Sequence, residues 1–405
     1  MIARDPEASF PRAEEVPRRT ALGTSGRRWR VAGGSALALY LAVAVVLFGV
    51  VAVSAYSRRP RLEVPGVKSA EYAGPAVFEG WVRFDAGWYR WNAEHGWYYL
   101  GDRQQSSVAF FPSYSLAMRA VHAGIGGDMA AVGVLVTFLS GLVAVVMFHK
   151  WCRRFFDDRA SMMSVALLIA WPYAFYLFGA VYADALFVAS SVTSFYLLER
   201  DRPLAAGLAG AVASAARPVG LAVVIGLVAV QWHRGARSRR DLLVLSSAGG
   251  FVGYLVYLTI RFHAPFAFAT AEGAPGWDQR LGPHTWFKVD FFERVVHFPH
   301  RGLYFTLGIC FQAALTAVLL VVVRRVWSRL GWGYALYVVM VLGVPLVGSK
   351  DLQGLGRYAL AAFPSFAVWG ELLSARRNIR VAVLGSSAAI LLVLCSAYAR
   401  GSYVV

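Results

Sequence analysis

Apolar residues in this chain fall in long unbroken runs and do not alternate with polar ones. Residues 31–56, 129–148, 161–181, 242–260 and 303–323 contain no charged side chain. Each run is near the length at which a helix crosses a hydrocarbon core of about 30 Å. A lone strand could not satisfy its backbone in lipid, and the alternation of a membrane barrel is absent. The pattern predicts an all-α, polytopic transmembrane helix bundle. The weakest apolar stretches lie between 186 and 232, where Arg217-Pro218 interrupts them. They read as broken or re-entrant helices, which need protein or a water-filled cavity around them.

Basic clusters punctuate the runs: Arg18 to Arg30, Lys150-Trp151-Cys152-Arg153-Arg154, Arg200-Asp201-Arg202, Arg234 to Arg240, Arg324-Arg325 and Arg376-Arg377. Placing all of them in the cytoplasm is self-consistent, with each consecutive pair enclosing an out-and-back pair of spans. This predicts about eleven spans, a cytoplasmic N-terminus and an outer C-terminus. Two long outer loops follow, about 57–127 and 261–301, with shorter outer connections near 182–184, 217 and 349–357. Residues 1–30 read as a disordered basic cytoplasmic tail, and residues 31–405 as a single membrane domain. The first apolar run is too long for a signal-peptide h-region, so Val53-Ser54-Ala55 is read as part of an uncleaved span.

Composition changes little in that picture. Of 405 residues, 58% are apolar and 16% charged, too few charges for a soluble surface of this size. The net charge of +17 would point to nucleic acid in a soluble protein. Here it is topology signal, and no nucleic-acid partner is expected. The excess of Arg over Lys, with abundant Ala, Gly and Val, points to a GC-rich bacterial genome and a bacterial plasma membrane. Cys152, Cys310 and Cys395 are far apart, each in or beside an apolar run, without metal or redox spacing.

Candidate chemistry sits in the first outer loop. Residues 81–96 combine many aromatics with one notable acid, Asp85. As a helix, this segment puts Asp85, Tyr89 and Asn92 on one polar stripe. Phe84, Trp88, Trp91 and His95 fall on a neighbouring aromatic stripe, suited to the membrane interface. An anchor with a solvated Asp is the competing reading. Residues 109–116 predict a second interfacial or re-entrant helix, with Pro112 near its start. Other ionisable groups are expected on the same outer face. Asp184 follows Tyr182 at a membrane boundary, Arg217 has no acidic neighbour in sequence, and Lys350-Asp351 and Arg357-Tyr358 close another turn. Charges at such depth are costly and usually face a cavity with partners, although a helix-end cap for Asp184, snorkelling for Arg217 and an ordinary loop charge for Lys350 are the plainer alternatives.

One carboxylate on an aromatic segment with several cations suits transfer from a lipid-phosphate donor. The carboxylate removes a proton from an acceptor hydroxyl, and arginine holds the departing phosphate. An aspartate with a reference pKa near about 3.9 is already a base at neutral pH unless buried. No metal-binding motif or Gly-rich phosphate loop is in place, and neither metal nor cofactor is expected. No large cytoplasmic domain is present to bind a nucleotide sugar.

Four motifs together resemble the PIG-V-like mannosyltransferases of the GT-C superfamily of polytopic glycosyltransferases. They are Arg83-Phe84-Asp85-Ala86-Gly87-Trp88-Tyr89 with His95-Gly96-Trp97-Tyr98 and Phe110-Phe111-Pro112; Tyr182-Ala183-Asp184-Ala185-Leu186-Phe187; Ala213 to Gly220 around Arg217-Pro218; and Gly356-Arg357-Tyr358 with Phe363-Pro364. Pro265-Phe266-Ala267-Phe268 with Trp277 and Arg280 is a weaker fifth. The motifs run from residue 80 to about 370. The family's Tyr-Thr-Glu-Ser is here Tyr182-Ala183-Asp184-Ala185.

The resemblance implies a GT-C fold, a polyprenyl-phosphate-linked hexose donor, usually mannose, and inversion at the anomeric carbon. Asp85 is then the catalytic base. Arg217, with Arg357 or Lys350, binds the donor phosphate. Tyr89 and Asn92 orient the acceptor or Asp85, and Asp184 positions a donor hydroxyl or orders Arg217. Tyr182, Arg280 and Tyr358 complete the substrate-positioning set. The acceptor would be a lipid or glycan, at the extracytoplasmic face and among membrane lipids. A transporter or flippase of a lipid-linked saccharide is the alternative and predicts inverted repeats with charges near the bilayer midplane. A scaffold subunit with anchoring loops is the third reading.

Overall fold

The computed structural model describes residues 26–57, 76–235, 238–279, 282–298 and 302–404. The tail expected over 1–30 lies outside the described residues up to position 25, and helix begins at Gly26, inside that expected tail. Arg280 also lies outside them.

Among the described residues the regular structure is entirely helical. Helix α1 (Gly26–Ser57) is followed by a short turn of helix, α2 (Ala76–Glu79), then α3 (Ala86–His95) and α4 (Pro112–Ile125) in the first long connection. Next come α5 (Met129–Cys152), α6 (Asp158–Ile169), α7 (Asp184–Leu198), α8 (Pro203–Ser214), α9 (Leu221–His233) and α10 (Gly249–Phe262). The second long connection holds α11 (Ala267–Glu272), α12 (Pro283–Trp286) and α13 (Val289–Val296). The chain continues through α14 (Leu303–Leu320), α15 (Val323–Leu330), α16 (Trp332–Gly348), α17 (Leu355–Tyr358), α18 (Phe363–Ser374) and α19 (Arg377–Ala399).

The chain is an integral membrane protein. Ser35–Ser57, Met129–Cys152, Asp241–Phe262, Leu303–Leu330 and Arg377–Ala399 are each long and apolar enough to cross a bilayer. The other apolar segments that charge punctuation counts as spans are shorter; α8, for instance, has 12 residues and α16 has 17. Twelve residues of helix rise only about 18 Å, short of a hydrocarbon core of about 30 Å. The run 161–181 shows why. It was expected to be one span, yet α6 stops at Ile169 and a 3-10 turn, Ala174–Leu177, follows. Pro172 lacks an amide donor and disfavours helical backbone at Trp171 before it. Pro218 acts in the same way: Arg217 is extended, with φ −162° and ψ 156°, between α8 and α9.

The basic turns gather at one end of the bundle. Arg154 donates to the Glu199 carbonyl at 2.8 Å and Arg234 to that of Leu198 at 2.8 Å. Arg234 also pairs with the Glu199 carboxylate, which accepts from the Tyr334 hydroxyl at 2.6 Å. Arg240 reaches the Asp201 carbonyl, and Arg329 pairs with Glu371 at 2.8 Å.

Close helix packing in the middle depends on small residues. At Gly141 of α5, a Cβ would lie 1.7 Å from the Leu177 carbonyl oxygen and 2.7 Å from the Tyr40 hydroxyl. That hydroxyl donates to the carbonyls of Phe138 and Leu177, each at 2.8 Å, and so ties α1 to α5 and to the broken segment. Gly141→Ala is therefore expected to prevent this packing. Folded yield and melting temperature in detergent should both drop sharply, whereas wild-type values would contradict the packing.

Candidate active site

Asp85 reaches its position through a stapled turn. Arg83 is buried and donates to the Ala399 carbonyl through Nε at 3.1 Å and Nη2 at 2.7 Å. The Tyr398 hydroxyl donates to the Trp81 carbonyl at 3.2 Å. The end of α19 thus holds the segment before Asp85. Phe84 takes φ 53°, a left-handed conformation that is costly for a side chain of this size. Its ring packs against Tyr398 and Tyr403 at 5.8 and 5.0 Å. The Tyr182 hydroxyl accepts from the Asp85 amide at 3.0 Å and lies 3.3 Å from the Arg83 carbonyl, to which it donates. Local strain is thereby held by contacts from two distant parts of the chain.

Helix α3 begins one residue later, at Ala86, with Asp85 as its N-cap residue. Tyr89 stays beside Asp85 and is buried, its ring 5.9 Å from that of Tyr182. Asn92 does not join them. Seven residues of helix carry it about 10 Å along the axis, where its amide donates to the Ser107 and Phe110 carbonyls. The expected stripe does not extend to Asn92, whose amide is spent on the loop. The expected second helix in this connection is α4, with Pro112 in its first turn.

Around Asp85 the structure gathers Arg357, Arg217, Asp184, Tyr182 and Tyr358. Arg357 Nη2 lies 3.5 Å from Asp85 Oδ2. Its guanidinium carbon sits 5.0 Å from the Tyr182 ring centroid and 5.2 Å from that of Tyr358. Arg217 is buried, pairs with the buried Asp184 carboxylate and stands 4.9 Å over the Tyr358 ring. Arg217 does not snorkel: it is buried and ion-paired directly with Asp184, in the first turn of α7. Each guanidinium keeps a buried nitrogen without a hydrogen-bond partner, Arg217 Nη1 and Arg357 Nε, and the Tyr176 hydroxyl is likewise unsatisfied. Lys350 is elsewhere engaged, bonding Asp278 at 2.8 Å across to the second long connection. Among the described residues no three His, Cys, Asp or Glu side chains gather as a metal site requires.

The Asp85 side chain keeps 32% of its surface open. Desolvation by the surrounding protein raises its pKa above the ordinary carboxylate value, and Arg357 followed by Arg217 pull it back. A largely apolar groove of about 910 Å³ opens between α1, α2 and α5, and none of these site residues lines it.

Three residues with no motif behind them matter here. Tyr398 and Gln312 brace the site, and Glu272 lies in the second long connection. Burial pushes the Glu272 carboxyl up to about 8. Below an ordinary glutamate value of about 4.3 this group is neutral whether the chain is folded or not. As pH climbs towards 8 the unfolded chain loses that proton and the folded one keeps it, so the folded state loses stability. Glu272→Gln removes the effect. Its melting temperature in detergent should exceed that of the wild type at pH 8 by clearly more than at pH 5. An equal difference at both values would contradict this.

Comparison with known proteins completes the picture. The chain is 29% identical over 221 residues to GPI alpha-1,6-mannosyltransferase 2 of Rattus norvegicus, a match covering 51% of this chain and 43% of that protein. To the Mus musculus protein of the same name it is 30% identical over 197 residues, covering 46% and 38%. The matches thus span about two fifths of each relative's length. In structure it superposes on ArnT from Cupriavidus metallidurans bound to undecaprenyl phosphate with a TM-score of 0.52 and 17% identity, covering 93% of this chain and 69% of that one. No family model matches. The class is an all-α membrane bundle with the GT-C fold. Within that class its sequence is similar, over about half of its length, to GPI alpha-1,6-mannosyltransferase 2.

Proposed function

We propose that this protein is an inverting glycosyltransferase that moves a hexose, mannose by its resemblance, from a polyprenyl-phosphate donor to an acceptor hydroxyl on a lipid or glycan. The observation that carries the reading is the pair of guanidiniums, Arg217 buried and Arg357 partly open, each with a buried nitrogen that has no partner, beside a carboxylate that remains open. Buried unsatisfied donors are costly, and a phosphate oxygen satisfies them with charge-assisted hydrogen bonds. The relatives carry mannose in their names, and the ArnT structure is described as bound to undecaprenyl phosphate.

In this mechanism Asp85 takes the proton of the acceptor hydroxyl. The acceptor oxygen attacks the anomeric carbon from the face opposite the phosphate. The bond between that carbon and the phosphate oxygen breaks, and polyprenyl phosphate leaves as the anion held by Arg217 and Arg357. Tyr182 fixes the backbone of Asp85, Asp184 orders Arg217, and Tyr358 supports both guanidiniums from below. Lys350 and Asn92 take no part. The basic turns lie at the ends of α7 and α8 away from Asp184 and Arg217, which by the positive-inside rule supports a site on the non-cytoplasmic face, in this reading that of a bacterial plasma membrane.

The test is to incubate the purified protein with polyprenyl-phosphate mannose and a panel of lipid and glycan acceptors. The expected result is mannosylated acceptor of inverted anomeric configuration, formed one for one with polyprenyl phosphate. Movement of a lipid-linked saccharide across proteoliposomes with no new glycosidic bond would instead establish a transporter and overturn the reading.

A further inference from the structure

Gln312 stands out as the one carboxamide in the apolar run 303–323. It lies on the buried stripe of α14 with Thr306, Ile309, Thr316 and Leu319, and only 1% of it is exposed. A polar side chain buried in a membrane helix is costly unless it is bonded, and its partner commonly reveals its use. The partner here is backbone: Gln312 Oε1 accepts from the Gly356 amide at 3.0 Å. The Gly356 carbonyl is taken from the other direction by Trp171 Nε1 at 2.9 Å. Between these two contacts, the Tyr173 ring presses so closely on Gly356 that a Cβ there would lie 2.3 Å from it. Both polar groups of Gly356 and its open face are therefore fixed from three sides, by α14 and by the segment broken at Pro172. The next residue is Arg357.

We propose that Gln312 and Trp171 are positioning residues that act through Gly356 to aim the Arg357 guanidinium at both Asp85 and the donor phosphate. The inference rests on the donor-phosphate role proposed for Arg357. A side chain that lies 3.5 Å from Asp85 and keeps its Nε buried without a partner tolerates little drift at its own Cα. The turn carrying it follows Gly354 at φ 82° and is only four residues long, so it supplies little rigidity of its own. The lone amide of α14 and the Trp171-Pro172-Tyr173 break supply what the turn lacks. The kink at Pro172 gains a purpose in this reading: it turns Trp171 and Tyr173 onto Gly356.

The test compares Gln312→Met, Gln312→Glu, Trp171→Phe and Arg357→Lys, reading kcat and KM for polyprenyl-phosphate mannose, binding of polyprenyl phosphate alone, and melting temperature. A misplacement near 1 Å costs up to about 100-fold, so Gln312→Met should lower kcat/KM by about ten- to a hundredfold, mainly through the donor KM. Gln312→Glu keeps an acceptor oxygen and should restore most of that loss. Adding Gln312→Met to Arg357→Lys should cost little more, since the two act as one unit. If Gln312→Met does not fold, Trp171→Phe decides: it removes the other bond, keeps a ring against Phe366, and should raise the donor KM in the same way. Unchanged donor KM in the folded variants, or purely additive losses, would overturn the inference while leaving Arg357 as a phosphate ligand. An Arg357→Lys protein with wild-type donor KM and polyprenyl phosphate binding would overturn the role of Arg357 itself, and this inference with it.

Discussion

Asp85→Asn is expected to lower turnover by about 10²–10⁴-fold, the usual contribution of a positioned general base, while donor binding and melting temperature change little. The carboxamide has the size of the carboxylate and can occupy the same turn, because that turn is held by Arg83, Tyr182 and Tyr398 and not by the Asp85 side chain. What it cannot do is accept a proton from the acceptor hydroxyl. The pH dependence follows with a definite sign. The active form of Asp85 is the anion, and burial raises its pKa, so activity should rise with pH along an acid limb above the ordinary aspartate value of about 3.9. Arg357 favours the anion, so Arg357→Gln should shift that limb further up in pH. Asp85→Asn should remove the limb from the residual activity. Near-normal transfer by Asp85→Asn in a discontinuous product assay would remove Asp85 from the chemistry and return it to the role of a solvated side chain on an interfacial anchor.

The membrane bundle was legible because hydropathy over twenty residues averages out local detail. Runs at 129–148 and 303–323 became helices of a bilayer's length. The same averaging hid the break at Pro172, since Trp171, Tyr173, Phe175 and Tyr176 are apolar enough to pass for a span although they fold as an irregular buried segment. The site was legible where chemistry is unusual for its depth. Asp85, Arg217 and Arg357 do converge, and Asp184 does meet Arg217. Helical angle was a sound guide for Tyr89 and failed for Asn92 because angle ignores distance along the axis. Gln312 carried a readable sign, a carboxamide within an apolar run, but its partner is a backbone amide 44 residues away. Tyr398 had none, since nothing local to residue 398 indicates that its hydroxyl will close on Trp81.

Arg217→Met should destabilise the protein by about 3–5 kcal/mol, because removing one member of a buried ion pair leaves the other charge buried and unpaired. Asp184 would be that charge, and it is only 2% exposed. Asp184→Leu alone should cost a similar amount by stranding the guanidinium. The double variant, Asp184→Leu with Arg217→Met, should recover most of the loss, since apolar side chains of similar volume replace a buried ion pair at little net cost. Stability and function then part company. The double variant, melting near the wild type, should still fail to bind polyprenyl phosphate and should transfer no sugar if Arg217, whose buried Nη1 has no partner in the structure, is the phosphate ligand proposed above. A double variant that folds and still binds polyprenyl phosphate with wild-type affinity would make the Asp184–Arg217 pair a structural strut and leave Arg357 alone to hold the leaving group. The pair is placed for both tasks. It ties the start of α7 to the extended Arg217 between α8 and α9, and it leaves Arg217 Nη1 buried without a partner.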